Sequence, residues 1–438
     1  MTLDRTRWPE LLVGLDQIRV LDVARDNDNR VHVAVETTDS TALCTGCGNA
    51  ATVKDRPLVR LADLPVFGSA SILVWRKRRW VCRQGACPVG SWTENRCDIA
   101  PPRAQMTTRA GLWATREVGA EIHTVSYVAT QIGVSWNTIM NAVSYWGEAL
   151  ITDPTRTGSV TALGVDETKM GAAKRFVPTT WISAICDLEG RSVIDVIEGR
   201  GGTELGGWLD DQSAQWREKV TVTVTDLHQP YRNALSSKCP NATAVADPFH
   251  VVGVANRALD RTRRAVQNET LGHRGHTKDP LYRARKLLVM AAENIDVKGQ
   301  NRLEQFLAAG DPHRRVYEAW VTKEAIRDLY TMHAHPVTAR AWLDVIIDSC
   351  RDTETITLRG LARTLKQWRE PILAWHTHGY SNGPVEGLNS LIKKVKRVAS
   401  GFTNFSHYRT RILLAVGACN WDLLGTPPPK KPENPAAL

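Results

Sequence analysis

Three carboxylates in this 438-residue chain stand where a metal site with oxygen ligands could form. Asp166 and Asp226 each end an apolar or β-branched segment, at 161–166 and 220–226, and Glu386 opens a basic amphipathic segment. Two strand ends and one helix start can meet at one cluster of negative charge. Mg²⁺ or Mn²⁺ prefers oxygen ligands, and a pair of such ions stabilises the attacking and leaving oxygens when a phosphodiester is cleaved. The three residues therefore predict a two-metal site for phosphodiester chemistry.

The segment that carries Glu386 has the two faces of an amphipathic helix. Its polar face collects Glu386, Asn389, Ser390, Lys393, Lys394, Lys396 and Arg397. Its apolar face collects Leu388, Leu391, Ile392, Val395 and Val398. Such a helix can bury the apolar face on a sheet and offer Glu386 to a metal. The predicted contacts to a DNA backbone are Asn389, Lys393, Lys394 and Arg397. A plain amphipathic surface helix is the alternative.

Composition limits the classes of protein that this chain can be. A net charge of +10 indicates a polyanionic partner. No apolar run approaches the ~20 residues that a membrane helix needs, and the first residues lack the pattern of a signal peptide. We therefore expect a cytoplasmic protein with no membrane partner, in which the nine cysteines are thiols or metal ligands.

Two pairs of cysteines predict one structural zinc ion. Cys44 and Cys47 share a tight, glycine-containing turn, and Cys82 and Cys87 form a second pair at wider spacing. Four thiolates suit tetrahedral Zn²⁺, and a small module gains folding free energy from the ion. Cys97 is an alternative to Cys87 as the fourth ligand. Ordinary buried thiols are the alternative to a metal site.

Two further segments predict contacts to DNA. The first is the basic run Arg76, Lys77, Arg78 and Arg79, for which a solvated edge strand is the alternative. The second is a helix-turn-helix pattern, in which Gly133 ends one helix and Ser135 caps the next. The residues expected to face outward from its recognition helix are Trp136, Asn137, Thr138 and Asn141. A helical hairpin without DNA contacts is the alternative.

The order of elements predicts a multidomain α/β protein, because strands alternate with helices after about residue 160. The predicted parts are a hairpin and zinc-binding module at 1–104, a helix-turn-helix domain at 105–151, the first part of a catalytic core at 160–250, a helical insertion at 251–380, the last helices of the core at 381–424 and a disordered tail at 425–438. A dense basic face is predicted at the start of the insertion, with DNA contact slightly favoured over a solvated helix: Arg257, Arg261, Arg263 and Arg264.

Several short motifs, in this order and spacing, resemble the DDE transposases of bacterial insertion sequences, and specifically the ISL3 family. After the paired cysteines, WTE at 92–94 and the helix-turn-helix come GVDE at 164–167, VTDL at 224–227 with Tyr231, DPFH at 247–250 and SNGPVEGLN at 381–389. The matches run from about residue 44 to residue 415. Only the segment after Thr168 matches the family loosely.

The resemblance implies an RNase H-like core, interrupted by the helical insertion before its last helix. It implies that Asp166, Asp226 and Glu386 bind the catalytic metals; the assignment of Asp166 depends on its neighbour Glu167 not being the ligand in its place. Family membership also implies that the N-terminal modules bind terminal inverted repeats. Asp247 and His250 belong to the pattern as candidates for supporting the metal ligands or contacting DNA, and a buried, hydrogen-bonded Asp–His pair is the plainer interpretation.

The function predicted from the sequence is therefore DNA transposition, in which water cleaves a phosphodiester at the element's end and the freed 3′ hydroxyl attacks target DNA. Two DNA ends must be brought together, so we expect at least a homodimer. A DNA-binding regulator derived from a transposase and lacking cleavage is the alternative from another class. A metal-dependent nuclease that does not join strands is a third possibility.

Overall fold

The computed structural model describes residues 8–39, 41–171, 179–333 and 335–427. Most of the predicted tail at 425–438 and part of the loosely matching segment after Thr168 lie outside these ranges. The chain divides into two compact units, Met1–Arg156 with Leu391–Leu438, and Thr157–Ser390. The predicted domain boundaries remain predictions. In the described part of the chain, no helix is long and apolar enough to cross a membrane.

The first unit begins with two small sheets. Its strands are β1 (Ile18–Arg25), β2 (Val31–Thr37), β3 (Thr52–Asp55), β4 (Leu58–Val66), β5 (Ser69–Arg76), β6 (Arg79–Val81) and β7 (Ser91–Thr93), after the short helix α1 (Trp8–Val13). One sheet has the order β1-β2-β5-β4 and the other has the order β3-β6-β7. The predicted hairpin is confirmed by antiparallel pairing of β1 with β2. Inward-facing Val35, Leu61, Leu73 and Trp75 form the core of the larger sheet.

Helices complete the first unit. They are α2 (Thr108–Gly119), α3 (Val125–Ile132), α4 (Trp136–Ile151) and, from the C-terminal part, α16 (Phe405–Val416). Here α16 packs against α2 and α4. Gly119 and Gly147 make this packing possible, because a Cβ on either glycine would lie 3.0–3.1 Å from Leu414 side-chain atoms.

The second unit is built on a five-stranded mixed sheet. Its strands are β8 (Ala162–Gly171), β9 (Thr180–Asp187), β10 (Ser192–Glu198), β11 (Val222–Thr225) and β12 (Thr243–Ala246), in the order β10-β9-β8-β11-β12. The first three strands pair antiparallel, whereas β8, β11 and β12 run parallel. The buried strands are rich in valine, isoleucine and alanine, as a sheet covered on both faces requires. This sheet confirms the predicted α/β core.

Helices surround the sheet and continue into a helical region. They are α5 (Gly202–Asp210), α6 (Ala214–Lys219), α7 (Gln229–Lys238), α8 (Pro248–Leu271), α9 (Pro280–Val289), α10 (Val297–Gly310), α11 (Arg315–Thr331), α12 (Pro336–Asp352), α13 (Ile356–Gln367), α14 (Arg369–His378) and α15 (Gly383–Val398), with short 3₁₀ helices at Ala292–Asn294 and Trp421–Leu423. The region from α8 to α14 has its own apolar core, as the predicted insertion requires. Its last helix, α14, packs against β12. Helices α5 and α6 are separate, because the Ser213 hydroxyl caps α6 by accepting the backbone N–H of Trp216.

Candidate active site and metal centre

Three acidic residues follow the last residues of the parallel pairing among β8, β11 and β12. Asp226 and Asp247 come directly after β11 and β12, whereas Asp166 lies within β8, which continues to Gly171, so the strand end predicted at Asp166 is wrong. Val165 of β8 and Ala246 of β12 both pair with Thr225 of β11. The next residue on each strand is an aspartate, so Asp166 and Asp226 emerge side by side at one sheet edge, with Asp247 beside Asp226. Parallel strands direct their carboxyl ends to the same edge, which is where ligands bind in sheets of this kind.

Asp166 is held by two donors at this edge. Its Oδ2 accepts a 2.6 Å hydrogen bond from the side-chain Nδ2 of Asn389, and its Oδ1 accepts a 2.8 Å hydrogen bond from the backbone N–H of Glu167. Burial, and then the nearby charge of Asp226, raise the pKa of Asp166 to about 6. Asp166 is thus a buried carboxylate whose ionisation is disfavoured next to a second carboxylate, a setting that a cation would stabilise.

Asp226 and Asp247 share one imidazole. His250, in the first turn of α8, lies with Nε2 at 2.9 Å from Asp226 Oδ2 and with Nδ1 at 3.0 Å from Asp247 Oδ2. Burial acts to lower the pKa of His250, but the hydrogen bonds to Asp226 and Asp247 raise it to about 10. Asp247 also caps α8, because its Oδ2 accepts the backbone N–H of His250. His250 therefore fixes the orientation of Asp226.

Asn382 joins the start of α15 to the same sheet edge. Its Nδ2 donates to Asp226 Oδ1 at 3.1 Å, and its backbone N–H donates to Asp247 Oδ1 at 2.8 Å. Within the described residues, the side-chain Oδ1 atoms of Asn382 and Asn389 are both buried without a hydrogen-bond partner. Two unpaired amide oxygens beside two carboxylates make a donor set that suits a hard cation such as Mg²⁺ or Mn²⁺.

Glu386 stands apart from this cluster. Its side chain is exposed in the first turn of α15, one helical turn before Asn389. In the described part of the chain, the four cysteines are the one set of three or more potential ligands whose atoms all lie within 4.8 Å of one another. The structure thus brings Asp166 and Asp226 together with Asn389 and does not bring Glu386 into a three-carboxylate cluster.

Gly164 permits α15 to approach the sheet closely. A Cβ at this position would lie 2.5 Å from Val385 Cγ2 and 2.7 Å from Leu188 Cδ2. Val385 is fully buried on α15, beside the residue that carries the predicted third carboxylate. The missing side chain of Gly164 therefore determines how near the helix of Asn389 and Glu386 lies to Asp166.

Two residues of α15 lie on faces of the helix other than those predicted. Asn389 is 3% exposed and bonded to Asp166, which argues against its predicted contact with DNA. Leu391 was expected on the buried face but is 42% exposed. The predicted DNA contacts Lys393, Lys394 and Arg397 are exposed.

The four cysteines meet as predicted in the first unit. Cys44 Sγ and Cys87 Sγ are 3.6 Å apart, as are Cys47 Sγ and Cys82 Sγ. Four sulfurs around zinc at ~2.3 Å would be ~3.8 Å apart in a regular tetrahedron, so the cluster has the size of a zinc site. Backbone N–H groups of the Cys44 turn lower the pKa of the Cys44 thiol to about 7, which favours the thiolate. Cys97 is exposed and bonds to Asn95 outside this group.

The helix-turn-helix has the local geometry that its sequence predicts. Gly133 ends α3 in the left-handed conformation at φ +80°, and the Ser135 hydroxyl caps α4 by accepting the backbone N–H of Thr138 at 3.1 Å. The outward face of α4 presents exposed Trp136, Asn137 and Asn141. Thr138 is half-buried, and its hydroxyl donates to Gln105 Oε1 at 2.7 Å.

The basic run divides between the surface and the interior. Arg78 is 6% exposed, and its guanidinium donates to the Thr37 backbone carbonyl at 2.6 Å. Arg79 Nε bonds Asp55 at 3.0 Å, and Lys77 Nζ lies 4.3 Å from the centre of a Trp75 ring. Arg76 is exposed. Burial of Arg78 argues against its predicted DNA contact, so the proposed phosphate contacts do not include Arg78.

Comparison with known protein families identifies the family of this chain. A family model described as "Transposase", of the ISL3 type, matches residues 163–412, which include both sheet-edge aspartates and α15. The chain belongs to the ISL3 family of transposases. A model for the helix-turn-helix domain of this family matches residues 97–147, and a zinc-finger model of related transposases matches residues 40–87. The ISL3 prediction is therefore confirmed, and the zinc-finger match and the cysteine cluster together support one structural zinc ion.

Individual relatives agree with the family assignment. The transposase of insertion sequence element IS1001 from Bordetella parapertussis is 23% identical over 94% of this chain and 94% of its own length. The transposase of element IS1557 from Mycobacterium tuberculosis is 26% identical over 56% of this chain and 58% of its own length.

Among solved structures, the Drosophila P element transposase strand transfer complex is similar at a TM-score of 0.37 and 12% identity, over 74% of this chain and 94% of that chain.

Proposed function

We propose that this ISL3 transposase cleaves DNA at the ends of an insertion sequence and joins the freed strand to target DNA. The observation that carries the proposal is the position of Asp166 beside Asp226, each directly after the paired residues Val165 and Thr225 of two parallel strands, inside the segment that matches the transposase model. Family membership alone supports a transposase with a DNA-binding domain; the metal-dependent chemistry and the recognition of terminal repeats are the proposed part.

The proposed metal ligands are Asp166, Asp226 and Glu386. Mg²⁺ or Mn²⁺, as a pair of ions, would supply Lewis-acid stabilisation of the attacking and leaving oxygens. Asn389 and His250 orient Asp166 and Asp226, and such supporting groups commonly change metal affinity or activity 10- to 100-fold (an order-of-magnitude range). Glu386 is exposed one turn from Asn389, so we propose that it completes the site when DNA is bound.

Two in-line displacements at phosphorus account for the reaction. In the first, a water oxygen attacks the phosphorus at the element's end, the bond to the 3′ oxygen breaks, and a 3′ hydroxyl and a 5′ phosphate remain. In the second, the 3′ hydroxyl attacks a phosphorus of target DNA and displaces its 3′ oxygen. Each step loses one proton from the nucleophile and returns one to the leaving oxygen.

DNA recognition is assigned to the first unit and to the basic end of α15. Exposed Trp136, Asn137 and Asn141, at the start of the recognition helix, are proposed to read the terminal inverted repeats, since side chains there reach base edges in the major groove. Lys393, Lys394 and Arg397 of α15, with Arg76, are proposed phosphate contacts. Because two ends must be joined, we propose that at least two protomers act together on DNA in the bacterial cytoplasm.

The proposal is tested on a supercoiled plasmid that carries the matched inverted repeats bordering the gene. With Mg²⁺, the wild-type protein should nick at the repeat ends and join them to a second plasmid. Asp166→Asn, Asp226→Asn and Glu386→Gln should each abolish both steps and retain DNA binding, whereas exposed Glu218→Gln should act as wild type. Occupancy of the repeats without nicking would favour a regulator, and nicking without joining would favour a nuclease.

A further inference from the structure

The helix that begins at the candidate active site carries a basic stripe away from it. Helix α8 starts directly after Asp247, and its first turn contains His250, which contacts Asp226. At 100° per residue, Arg257, Arg261 and Arg264 lie within about 40° of the direction of His250 around the helix axis. All three arginines are exposed. The stripe therefore starts beside the carboxylates and extends along one face of α8.

Three of the four arginines predicted here remain available to a partner. Arg263 is 4% exposed and donates to Asp260 Oδ1 and Gln267 Oε1, so it stabilises the fold. Arg264 makes an exposed ion pair with Asp260 at 2.7 Å, which a phosphate can replace at little cost. Within the described residues, Arg257 and Arg261 make no ion pair with an acidic side chain.

The spacing of the stripe fits a phosphate backbone. With a rise of ~1.5 Å per residue, Arg257 lies ~10 Å and Arg264 ~21 Å along the helix from His250. The ~10 Å between these two arginines corresponds to about three phosphates of one strand, which are spaced at ~3.4 Å along a duplex axis. A strand whose reacting phosphate lies at the carboxylates can thus extend along α8.

An exposed aromatic residue stands where this stripe meets the site. Phe249 is 71% exposed, and its ring packs edge-on against His250 with 5.6 Å between ring centres. Most buried positions of α8 are aliphatic, so Phe249 is not part of the core of this helix. Its large apolar ring lies on the solvent side, next to two carboxylates. A base can stack on such a ring only after it leaves the duplex stack.

We propose that α8 binds the DNA strand that leaves the active site, with Phe249 stacked on an unpaired base beside the reacting phosphate and with Arg257, Arg261 and Arg264 on the backbone that follows. The inference rests on the proposed function, because it takes DNA as the substrate. Charge complementarity decides the occupant: three exposed cations beside the carboxylates repel a basic partner and attract phosphates.

The backbone contacts are tested by the salt dependence of binding. A duplex that carries one bordering inverted repeat is titrated with protein in EDTA, so that binding is measured without cleavage. Each phosphate contact contributes about 0.7–0.9 to the slope of log K against log salt concentration. Replacing Arg257, Arg261 and Arg264 together by alanine should lower the slope by about 2.1 to 2.7, which is roughly a 20- to 40-fold difference between 50 and 200 mM salt.

A matched triple variant controls for the loss of charge. Lys286, Lys298 and Arg302 are exposed on α9 and α10, and their replacement by alanine removes the same three charges. This control should keep the wild-type slope to within about one contact. If the α8 triple variant keeps the wild-type slope, as the control does, the assignment of the DNA backbone to α8 is wrong. Slopes lowered in both variants alike would show a non-specific effect of charge and would equally overturn it.

The stacking contact is tested with the fluorescent base 2-aminopurine at each position flanking the cleavage point. Wild type and Phe249→Trp should quench one of these positions, and Phe249→Leu, which keeps the volume without the aromatic face, should not. The loss of stacking should weaken binding of the flanking strand by about 5- to 150-fold. Quenching that is unchanged in Phe249→Leu would refute the stacking role.

These outcomes are separable from failure of the proposed function. If wild type does not cleave in Mg²⁺, but the α8 triple variant has the lower salt slope and Phe249→Leu loses the quenching, the proposed catalysis is wrong and the proposed DNA surface on α8 is supported. If wild type cleaves at the repeat ends while the α8 variant keeps the slope, the proposed catalysis stands and the α8 surface is wrong.

Discussion

Replacing Asn389 by alanine removes one hydrogen bond from the candidate active site. In the structure its Nδ2 donates to Asp166 Oδ2 at 2.6 Å, and among the described residues the carboxylate has one other donor, the Glu167 backbone N–H. A hydrogen bond to a charged group contributes about 1.5–3 kcal/mol. Alanine is a good helix former, so α15 itself should persist.

The expected result is weaker metal binding. If Asp166 is a metal ligand, 1.5–3 kcal/mol corresponds to a roughly 10- to 150-fold change in an equilibrium constant, at ~1.4 kcal/mol per tenfold. We therefore expect Asn389→Ala to need about 10- to 100-fold more Mg²⁺ for half-maximal cleavage. Cleavage at saturating Mg²⁺ should fall much less, because the proposed carboxylate ligands Asp166, Asp226 and Glu386 remain.

Plasmid nicking is measured across a Mg²⁺ titration for wild type, Asn389→Ala and Ser390→Ala. Ser390 is the exposed neighbour on the same helix, so its variant controls for any change in α15. Thermal unfolding in EDTA shows whether each variant is folded. A Mg²⁺ curve for folded Asn389→Ala that overlays the two controls would show that this amide does not position a metal ligand.

Three further predictions concern the packing and the first unit. Gly164→Ala should lower the free energy of unfolding by about 1–3 kcal/mol, measured by denaturant titration, because the added Cβ overlaps Val385 of the helix packed on the sheet. Gly206→Ala is the control, because a Cβ there meets open space and should not destabilise the protein. Equal losses of stability in the two variants would contradict the close approach of α15 to the sheet at Gly164. Cys47→Ser should reduce bound zinc from one equivalent to near zero by metal analysis, so retention of a full equivalent would exclude this cluster as the site. Arg78→Ala should destabilise by about 1–3 kcal/mol because it removes the buried guanidinium that donates to the Thr37 carbonyl and faces Glu94, whereas exposed Arg76→Ala should change stability by under about 0.5 kcal/mol in the same denaturant titration.

Local patterns in the sequence were sufficient for the elements and for two of the proposed metal ligands. Period-two alternation predicted the β1–β2 hairpin, and the turn at Gly133 with the cap at Ser135 predicted the helix-turn-helix. The parallel register of β8 and β11 places Asp166 and Asp226 side by side, although the strand end predicted at Asp166 is wrong because β8 continues to Gly171. These features depend on neighbours in sequence or on one strand pairing.

The rotation of α15 about its own axis and the distant partner of Arg78 could not be predicted in the same way. The buried sector of α15 is centred near Val385 and Ile392, which places Asn389 inside it and Leu391 outside; periodicity alone does not fix that rotation. Arg78 looked like a surface cation because its partner in the interior, Glu94, lies 16 residues away in the chain. Each error came from a tertiary contact that overrode a local signal.

The hydrogen bonds of the candidate site join residues that are very far apart along the chain. Asn382 reaches Asp247 across 135 residues and Asp226 across 156, and Asn389 reaches Asp166 across 223. Contacts of such long range carry a large loop-closure entropy, which falls once the helices between them have packed on their own core. The site should therefore assemble late in folding, and a chain that has formed its sheet but not its helical region holds two aspartates without the residues that orient them.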